Sequence, residues 1–336
     1  MNIPNDTGGD WRLNKFIEYA TFVPPIEPQT YTEYCLINNL DIEQSLLLIF
    51  YNSICYSTIT SIFILKHFDI KNDDVEIFWK NYKDNLIFTS ARRNMKYFTR
   101  FIDIINIMKK ILLNTTMKDW VLNICNSKDP YENYKNVSKE FEQFPQLGRF
   151  SIELFVEGLI YFNNNNILKI NIDEEGIKPE ESSNLTSALL NISYKDEEAD
   201  DFDLNGKLSE DSKKIVENTL KRIQKQYKIK YPEKDNRISV ITPKLCSFRN
   251  LFKGARYAGY HHDRQLEQIL HYKNIYSDDI TKQIITDLLK IRSKLFPHRI
   301  LGELNGWNGI RKQLKKSFLK YGLSCAEEKE GLSKWL

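Results

Sequence analysis

The chain has 336 residues, of which 41% are hydrophobic and 12% aromatic, so it is long enough for one large domain or two ordinary ones with a real core. Its longest apolar stretch, residues 42–68, is interrupted by Asn52, Ser53 and Lys66, which favours buried helix over a membrane span. The first ten residues lack both a basic start and an apolar run. We therefore expect a cytoplasmic protein with no membrane partner.

The net charge of +3 averages two opposed regions. Residues 172–211 contain 13 acidic and 3 basic side chains, a net charge of −10, whereas residues 212–322 contain 25 basic and 9 acidic side chains, a net charge of +16. The five cysteines are scattered without the close spacing of a zinc site. This charge division predicts a C-terminal third that faces a polyanion.

Apolar residues recur three and four apart along most of the chain, which predicts a mostly α fold with few or no strands. The clearest helical patterns cover residues 42–68, 94–113, 151–162, 208–226, 256–273, 278–295 and 308–321. Breakers and composition divide the chain into an N-terminal arm (1–40), a helical domain (41–165), an acidic linker or insertion (166–211), a basic helical region completing the site (212–322) and a tail (323–336).

The first basic cluster is Ser90-Ala-Arg-Arg93, at a predicted helix start. Arg92 and Arg93 there are either a phosphate clamp or ordinary surface charge. The next motif, Phe144-Pro-Gln-Leu-Gly-Arg-Phe150, is a Pro-x-x-Gly turn that opens into an apolar helix. Gly148 would let backbone approach a phosphate, with Arg149 adding a charge, as in helix-hairpin-helix DNA-binding units. The alternative is a tight turn between two core helices.

A third motif lies on the helix predicted at residues 256–273. Tyr260, Asp263, Arg264 and Glu267 are three and four residues apart and so share one polar stripe. One interpretation makes a carboxylate a general base or a magnesium ligand and the arginine an anion clamp. The other makes the carboxylates surface salt-bridge partners.

The last motif is Leu301-Gly-Glu-Leu-Asn-Gly-Trp-Asn-Gly309, a glycine-rich loop before the helix predicted at 308–321. Glu303, Asn305 and Trp307 in this loop could surround an extruded base, with the tryptophan stacking on it. The alternative is a buried tryptophan that closes a helix connection. One face of the following helix carries cations and no acid, and its members include Arg311, Lys312 and Lys315. This face predicts phosphate contacts, and the alternative is an ordinary solvated face.

These blocks together resemble the phage and bacterial family of α-glutamyl/putrescinyl-thymine pyrophosphorylases, also described as amino acid:DNA transferases. The resemblance rests on Ser90-Ala-Arg-Arg93, Phe144-Pro-x-Leu-Gly-Arg-Phe150, Tyr257-Ala-Gly-Tyr-x-x-Asp-Arg-x-x-Glu267 and Leu301-Gly-Glu-Leu-Asn-Gly-Trp307, and it spans roughly residues 85 to 322 with gaps. It implies a helical, DNA-glycosylase-like protein in which an amino acid or polyamine displaces pyrophosphate from pyrophosphorylated 5-hydroxymethyluracil in DNA.

The resemblance also implies roles for the motif residues. The expected catalytic set is Asp263, Arg264, Glu267 and Glu303; the expected phosphate- or pyrophosphate-binding set is Arg92, Arg93, Gly148, Arg149, Arg256, Arg311, Lys312 and Lys315; and the expected base-binding set is Tyr260, Asn305 and Trp307. No cofactor is required by these patterns, and Mg²⁺ is the one candidate.

Two other functions stay open. A DNA glycosylase acting on modified or damaged bases would use the same hairpin, followed by an aspartate a couple of dozen residues later, and Asp173 lies 25 residues after Gly148. A DNA-binding protein without enzymatic activity would need only the basic third and an acidic segment that screens it.

Overall fold

A computed structural model describes twelve helices in two compact units. The described residues are 12–14, 16–17, 20, 26–89, 95, 99–162, 168–171, 183–193, 207–232, 241, 244–245, 248 and 260–295. The helices are α1 (Ile26–Ile37), α2 (Ile42–Cys55), α3 (Thr58–His67), α4 (Val75–Tyr82), α5 (Arg100–Leu112), α6 (Met117–Ile124), α7 (Pro130–Phe141), α8 (Arg149–Phe162), α9 (Ser183–Ile192), α10 (Glu210–Lys230), α11 (Tyr260–Ile275) and α12 (Asp279–Leu295). These residues form no strand, so the mostly α prediction is confirmed.

Helix starts follow capping chemistry that is visible in the sequence. Asp41 accepts a hydrogen bond from the backbone N–H of Gln44 at 2.8 Å, and its own N–H donates to the Gln44 side chain, forming a capping box at the start of α2. Asp129 caps α7 just before Pro130, which tolerates the first helical position because its missing N–H would have no helical partner there. Local sequence therefore fixes where both helices begin.

The main unit comprises the described residues of 26–171 and 261–295 and is built around α2 and α3. Helix α2 packs against α1, α3, α6 and α8, and nearly all of its side chains from Ser45 onward are buried. The apolar stretch 42–68 is two helices, because the chain turns at Tyr56 with a left-handed φ of 50°. The Ser53 hydroxyl donates to the Phe50 carbonyl at 2.7 Å, so this polar interruption fits the core.

Helices also occupy two segments where the sequence suggested little order. The segment expected as an arm contains α1, which contacts α2, α8 and α12 within the main unit. The segment expected as an acidic linker or insertion contains α9, whose Leu185 and Leu189 are buried. Each helix therefore belongs to a packed core.

The second unit comprises the described residues of 12–20 and 183–248. Its longest helix, α10, packs against α9 and buries Val216, Ile223 and Tyr227 on one face. The Lys244 ammonium donates to the Ala20 carbonyl at 2.6 Å, which fixes the start of this unit against its end. Among the described helices, none is both long and apolar enough to cross a membrane.

Candidate functional site

The turn at residues 142–148 joins α7 to α8 as a compact hairpin. The N–H of Phe144 donates to the carbonyl of Phe141 at 3.0 Å, which continues the end of α7 into the turn. The carbonyl of Gly148 accepts the first hydrogen bond of α8, from Ser151 at 2.9 Å. The Pro-x-x-Gly motif therefore opens directly into a helix, which begins at Arg149.

Gly148 faces open space, because a Cβ atom built on it would meet no heavy atom within 4 Å. Core packing therefore does not require glycine here. The left-handed residue of the turn is instead Gln146, with a φ of 63°. The backbone N–H groups of Gly148 and Arg149 have no hydrogen-bond partner among the described residues, as is normal in the first turn of a helix. An anion could approach both groups.

Arg149 is held by a neighbouring carboxylate. Its Nε donates to Oε1 of Glu153 at 2.8 Å, one turn along α8, and the two side chains are 38% and 25% exposed. Ion pairs this exposed contribute about 0–1 kcal/mol, so the guanidinium can exchange this partner for a more highly charged anion. The positive charge of Arg149 is therefore present at the hairpin, and the Glu153 carboxylate partly neutralises it.

A cleft of about 440 Å³ lies beside this hairpin, between the C-terminal half of α7 and the start of α8. Tyr134 and Phe144 supply aromatic surface, whereas Glu142, Gln146 and Arg149 supply polar groups. Sites for small organic groups typically enclose 300–1,000 Å³ and combine apolar walls with a few polar atoms. The volume of the cleft falls within this range, but Tyr134 and Phe144 are almost fully buried, so the cleft is a shallow surface depression beside the hairpin.

Five aromatic rings fix the hairpin from below. They are Phe50, Trp120, Phe141, Phe144 and Phe155, and neighbouring centroids lie 5.0–6.5 Å apart. Aromatic pairs at such distances contribute about 0.5–1.5 kcal/mol each beyond the area that they bury. The Trp120 indole N–H also donates to Glu140 at 3.0 Å. This aromatic cluster makes the turn a rigid part of the main unit.

Phe150 is a candidate contact residue that the sequence analysis missed. Its ring is 41% exposed and packs edge-on against Tyr56, with centroids 5.2 Å apart. An exposed aromatic side chain directly after Arg149 can stack on a base or a sugar. The signal in the sequence was an aromatic residue at the second position of this helix, directly after Arg149.

Helix α11 brings two of the expected catalytic residues together as an ion pair. Nη1 of Arg264 lies 2.6 Å from Oε2 of Glu267, and their side chains are 40% and 20% exposed. For Glu267, this contact matches the interpretation in which the carboxylate is a surface salt-bridge partner. Tyr260 and Asp263 lie on the same helix, but their side chains are outside the described part of the molecule.

The remaining expected site residues fall outside the described residues altogether. They are Arg92, Arg93, Arg256, Glu303, Asn305, Trp307, Arg311, Lys312 and Lys315. Asp173, on which the glycosylase alternative depends, also lies outside them. Their assignments stay predictions.

The buried face of α11 is polar, which the sequence analysis did not anticipate. The Gln265 amide donates to the Thr30 hydroxyl at 3.1 Å and accepts from Nη1 of Arg292 at 3.0 Å. One turn later the Gln268 carbonyl oxygen accepts from the Ser57 hydroxyl at 2.9 Å. Because all of these residues are buried, the hydrogen bonds hold α11 in a single register against α1, α3 and α12.

Glu27 is a partly buried carboxyl group beside this network. Its Oε2 accepts from the backbone N–H of Thr58 at 2.9 Å and from the Thr58 hydroxyl. Burial raises the pKa of Glu27, while the Thr58 hydrogen bonds and the charge of Arg292 oppose that rise. The Glu27 carboxyl group therefore caps the start of α3.

The described residues contain no group of three or more His, Cys, Asp or Glu side chains that could hold a metal ion. Cys35 and Cys125 are buried, and burial raises the pKa of their thiols to about 11 and about 12. Such thiols stay protonated near neutral pH and are poor nucleophiles. The groups that the described residues offer to a ligand are thus arginines, carboxylates and backbone N–H groups.

Comparison with known proteins adds no assignment to this geometry. The sequence matches no family model, and neither a curated protein nor a solved structure matches it. The resemblance to thymine pyrophosphorylases therefore stays a prediction, and the geometry of the α7–α8 hairpin is the observation on which a function can be proposed.

Proposed function

We propose that the protein binds DNA through the α7–α8 hairpin and modifies a thymine-derived base by replacing pyrophosphate with an amine. The observation that carries DNA binding is the hairpin itself, in which the open backbone at Gly148 and the first N–H groups of α8 lie beside Arg149. A helix N-terminus with a nearby cation is a favourable position for a phosphate. The basic composition of residues 212–322 supports the same partner.

The chemistry rests on the family resemblance. The amine nitrogen would attack the methylene carbon of pyrophosphorylated 5-hydroxymethyluracil, and the carbon–oxygen bond to pyrophosphate would break, with pyrophosphate taking the electron pair. The attacking nitrogen would lose one proton to a carboxylate, Asp263 or Glu303. Glu267 is less suited to this role because Arg264 already pairs with it.

Cations would stabilise the charge that grows on pyrophosphate as it leaves. Our candidates are Arg92, Arg93, Arg149, Arg256, Arg264 and Arg311. The target base would leave the duplex stack so that the amine can reach its methylene carbon. Tyr260, Asn305 and Trp307 are our candidates for holding the extruded base.

The test is nucleoside mass spectrometry. DNA containing pyrophosphorylated 5-hydroxymethyluracil is incubated with the protein and a pool of amino acids and polyamines, then digested to nucleosides. We expect a new adduct that retains the nucleoside, and its loss in Asp263→Asn and in Arg264→Ala. The matched controls, Asp103→Asn and Arg100→Ala, make the same two charge changes on α5, where Arg100 and Asp103 pair at 3.1 Å.

Each other outcome points elsewhere. Abasic sites would assign the protein to DNA glycosylases, and unchanged substrate with retained DNA binding would assign it to DNA-binding proteins without this activity. Full transfer activity in both Asp263→Asn and Arg264→Ala would place the reaction away from the N-terminal half of α11.

A further inference from the structure

A second cationic surface lies on α10, in the second unit. Residues 218–232 contain five basic side chains and no acidic one. Lys221, Lys225 and Lys228 are exposed, and their spacing of four and three residues places them on one face of the helix. We call these three residues the α10 lysine row. Arg222 is exposed next to it.

No described residue neutralises the α10 lysine row. Its three ammonium groups form no ion pair with any described residue, whereas Lys213, in the first turn of the same helix, pairs with Glu210 at 2.6 Å. Lys230 lies over the Tyr231 ring, with 5.6 Å from its nitrogen to the centroid. The unpaired positive charge is therefore concentrated on the row.

Helix-dipole stabilisation accounts for only part of this pattern. Cations stabilise the last turn of a helix, but the effect falls off beyond that turn. Lys228 lies in the last turn, whereas Lys225 and Lys221 lie before it. The helix dipole therefore does not account for the positive charge at Lys221 and Lys225.

We infer that the α10 lysine row binds the phosphate backbone of duplex DNA. At 1.5 Å per residue the row covers about 10 Å of helix, and one DNA strand carries a phosphate about every 3.4 Å of its axis, so three lysines face about three phosphates. This inference rests on the proposed function in one respect, since both take DNA as the partner. It adds a contact surface that the hairpin does not provide.

An anionic membrane is the less suitable partner. An amphipathic helix binds a membrane by burying its apolar face in the lipid. The apolar face of α10, which includes Val216, Ile223 and Tyr227, is already buried in the protein. Ile229 is 70% exposed near the row, but one isoleucine offers little area for insertion. The row therefore suits a charged backbone and not a hydrocarbon layer.

The experiment compares two triple variants that lose the same charge. Lys221→Gln/Lys225→Gln/Lys228→Gln removes the row, and Lys80→Gln/Lys118→Gln/Lys290→Gln removes three exposed lysines of the main unit that form no described ion pair. Affinity for an unmodified duplex of about two helical turns is measured from about 50 to 200 mM NaCl. Thermal unfolding by circular dichroism checks that both variants are folded.

We expect the row variant to bind about tenfold or more weakly at low salt, and its slope of log affinity against log salt to be shallower by about two to three, at about 0.9 per lost phosphate contact. The control should keep the wild-type slope within about 0.5. Equal slopes in the two variants, or a wild type that binds phosphatidylserine vesicles and not DNA, would overturn the inference. Because unmodified DNA is used, this result is independent of whether an amine adduct forms.

Discussion

Arg149 and Glu153 form an ion pair along the first turn of α8, with Nε and Oε1 2.8 Å apart. In the proposed DNA complex, the Glu153 carboxylate would compete with phosphate for the Arg149 guanidinium. Glu153→Gln should release the guanidinium and tighten DNA binding about two- to fivefold at low salt, since an exposed pair contributes up to about 1 kcal/mol. Arg149→Gln should weaken binding. Fluorescence anisotropy with a labelled duplex measures both effects.

The control is Asp103→Asn, which removes one negative charge from the ion pair with Arg100 on α5, whose carboxylate is more exposed than that of Glu153. It should change affinity by no more than the general effect of one unit of net charge. If Asp103→Asn tightens binding as much as Glu153→Gln does, the effect belongs to net charge and the hairpin has no special role.

The two glycines of the hairpin region should respond differently to alanine. Gly158→Ala would place Cβ 2.5 Å from the Tyr31 hydroxyl and 2.6 Å from Cγ2 of Ile49, both in buried side chains, and should cost about 1–3 kcal/mol of unfolding free energy. Gly148→Ala meets open space and should leave stability within about 0.5 kcal/mol. Urea unfolding measures both changes.

The same pair of variants separates stability from binding. Gly148→Ala should weaken DNA binding although the protein stays fully folded, because the added methyl group stands where a phosphate would approach the backbone. Unchanged affinity in Gly148→Ala would remove the turn backbone from the proposed interface.

Gln265→Met should destabilise the main unit by about 2–4 kcal/mol. Methionine has a similar volume but cannot form the hydrogen bonds that Gln265 makes with the Thr30 hydroxyl and Nη1 of Arg292 in a buried site. Gln143→Met is the control, since Gln143 is exposed and its described hydrogen bonds go to Glu140, three residues earlier. Urea unfolding should show little change in the control, and equal losses in both variants would contradict a special role for the network.

His67 should make stability depend on pH. Its Nε2 lies 3.2 Å from the Thr281 hydroxyl and 3.7 Å from Asp278, and its ring stacks on Phe63. Burial lowers the pKa of His67 from its ordinary value of 6.5, and the Asp278 charge only partly opposes this. The unfolded chain therefore takes up the proton first as pH falls, so this part of the stability is present above pH 6.5 and is lost below it.

The measurement is the unfolding free energy at pH 7.5 and pH 5.5. His67→Gln should show a smaller loss between the two values than the wild type, and His271→Gln, at an exposed position, should behave as the wild type does. A wild-type loss that His67→Gln leaves unchanged would assign the pH dependence to other groups.

Periodicity predicted the helices whose buried faces are apolar. The start of α8 was expected at residue 151 and lies at Arg149, and α12 was expected at 278–295 and spans Asp279–Leu295. In both, apolar residues three and four apart determine the face that packs. The starts of these two helices differ from the expected ones by one or two residues. Capping fixes helix ends, and apolar periodicity does not describe capping.

Periodicity failed where the buried face is polar or short. Helix α1 packs through Thr30, Tyr31 and Tyr34, whose hydroxyl groups make the segment look like a surface arm. The buried Gln265 and Gln268 side chains bond to Thr30 and Ser57, which are more than 200 residues away in the chain. Such long-range pairing has no local signal.

The candidate site was only partly accessible from the sequence for the same reason. Spacing correctly placed Gly148 and Arg149 at a helix start, since that information is local. Spacing could not decide whether the Glu267 side chain pairs with Arg264. Two residues three apart on a helix can either form an ion pair or turn away from each other, depending on their rotamers. The cleft beside the hairpin also required the packing of α7 against α8, which no motif describes.

The aromatic cluster beneath the hairpin affects the thermodynamics of binding. Phe144 and Phe141 belong to the turn and α7, with centroids 5.5 Å apart, and both also contact Phe50 of α2. In the proposed DNA complex the turn would already have its bound shape, and little protein entropy would be lost on association. The ordering cost of that complex would then fall on the DNA, so we expect duplexes that are easier to open to bind more tightly than stiff ones of equal charge.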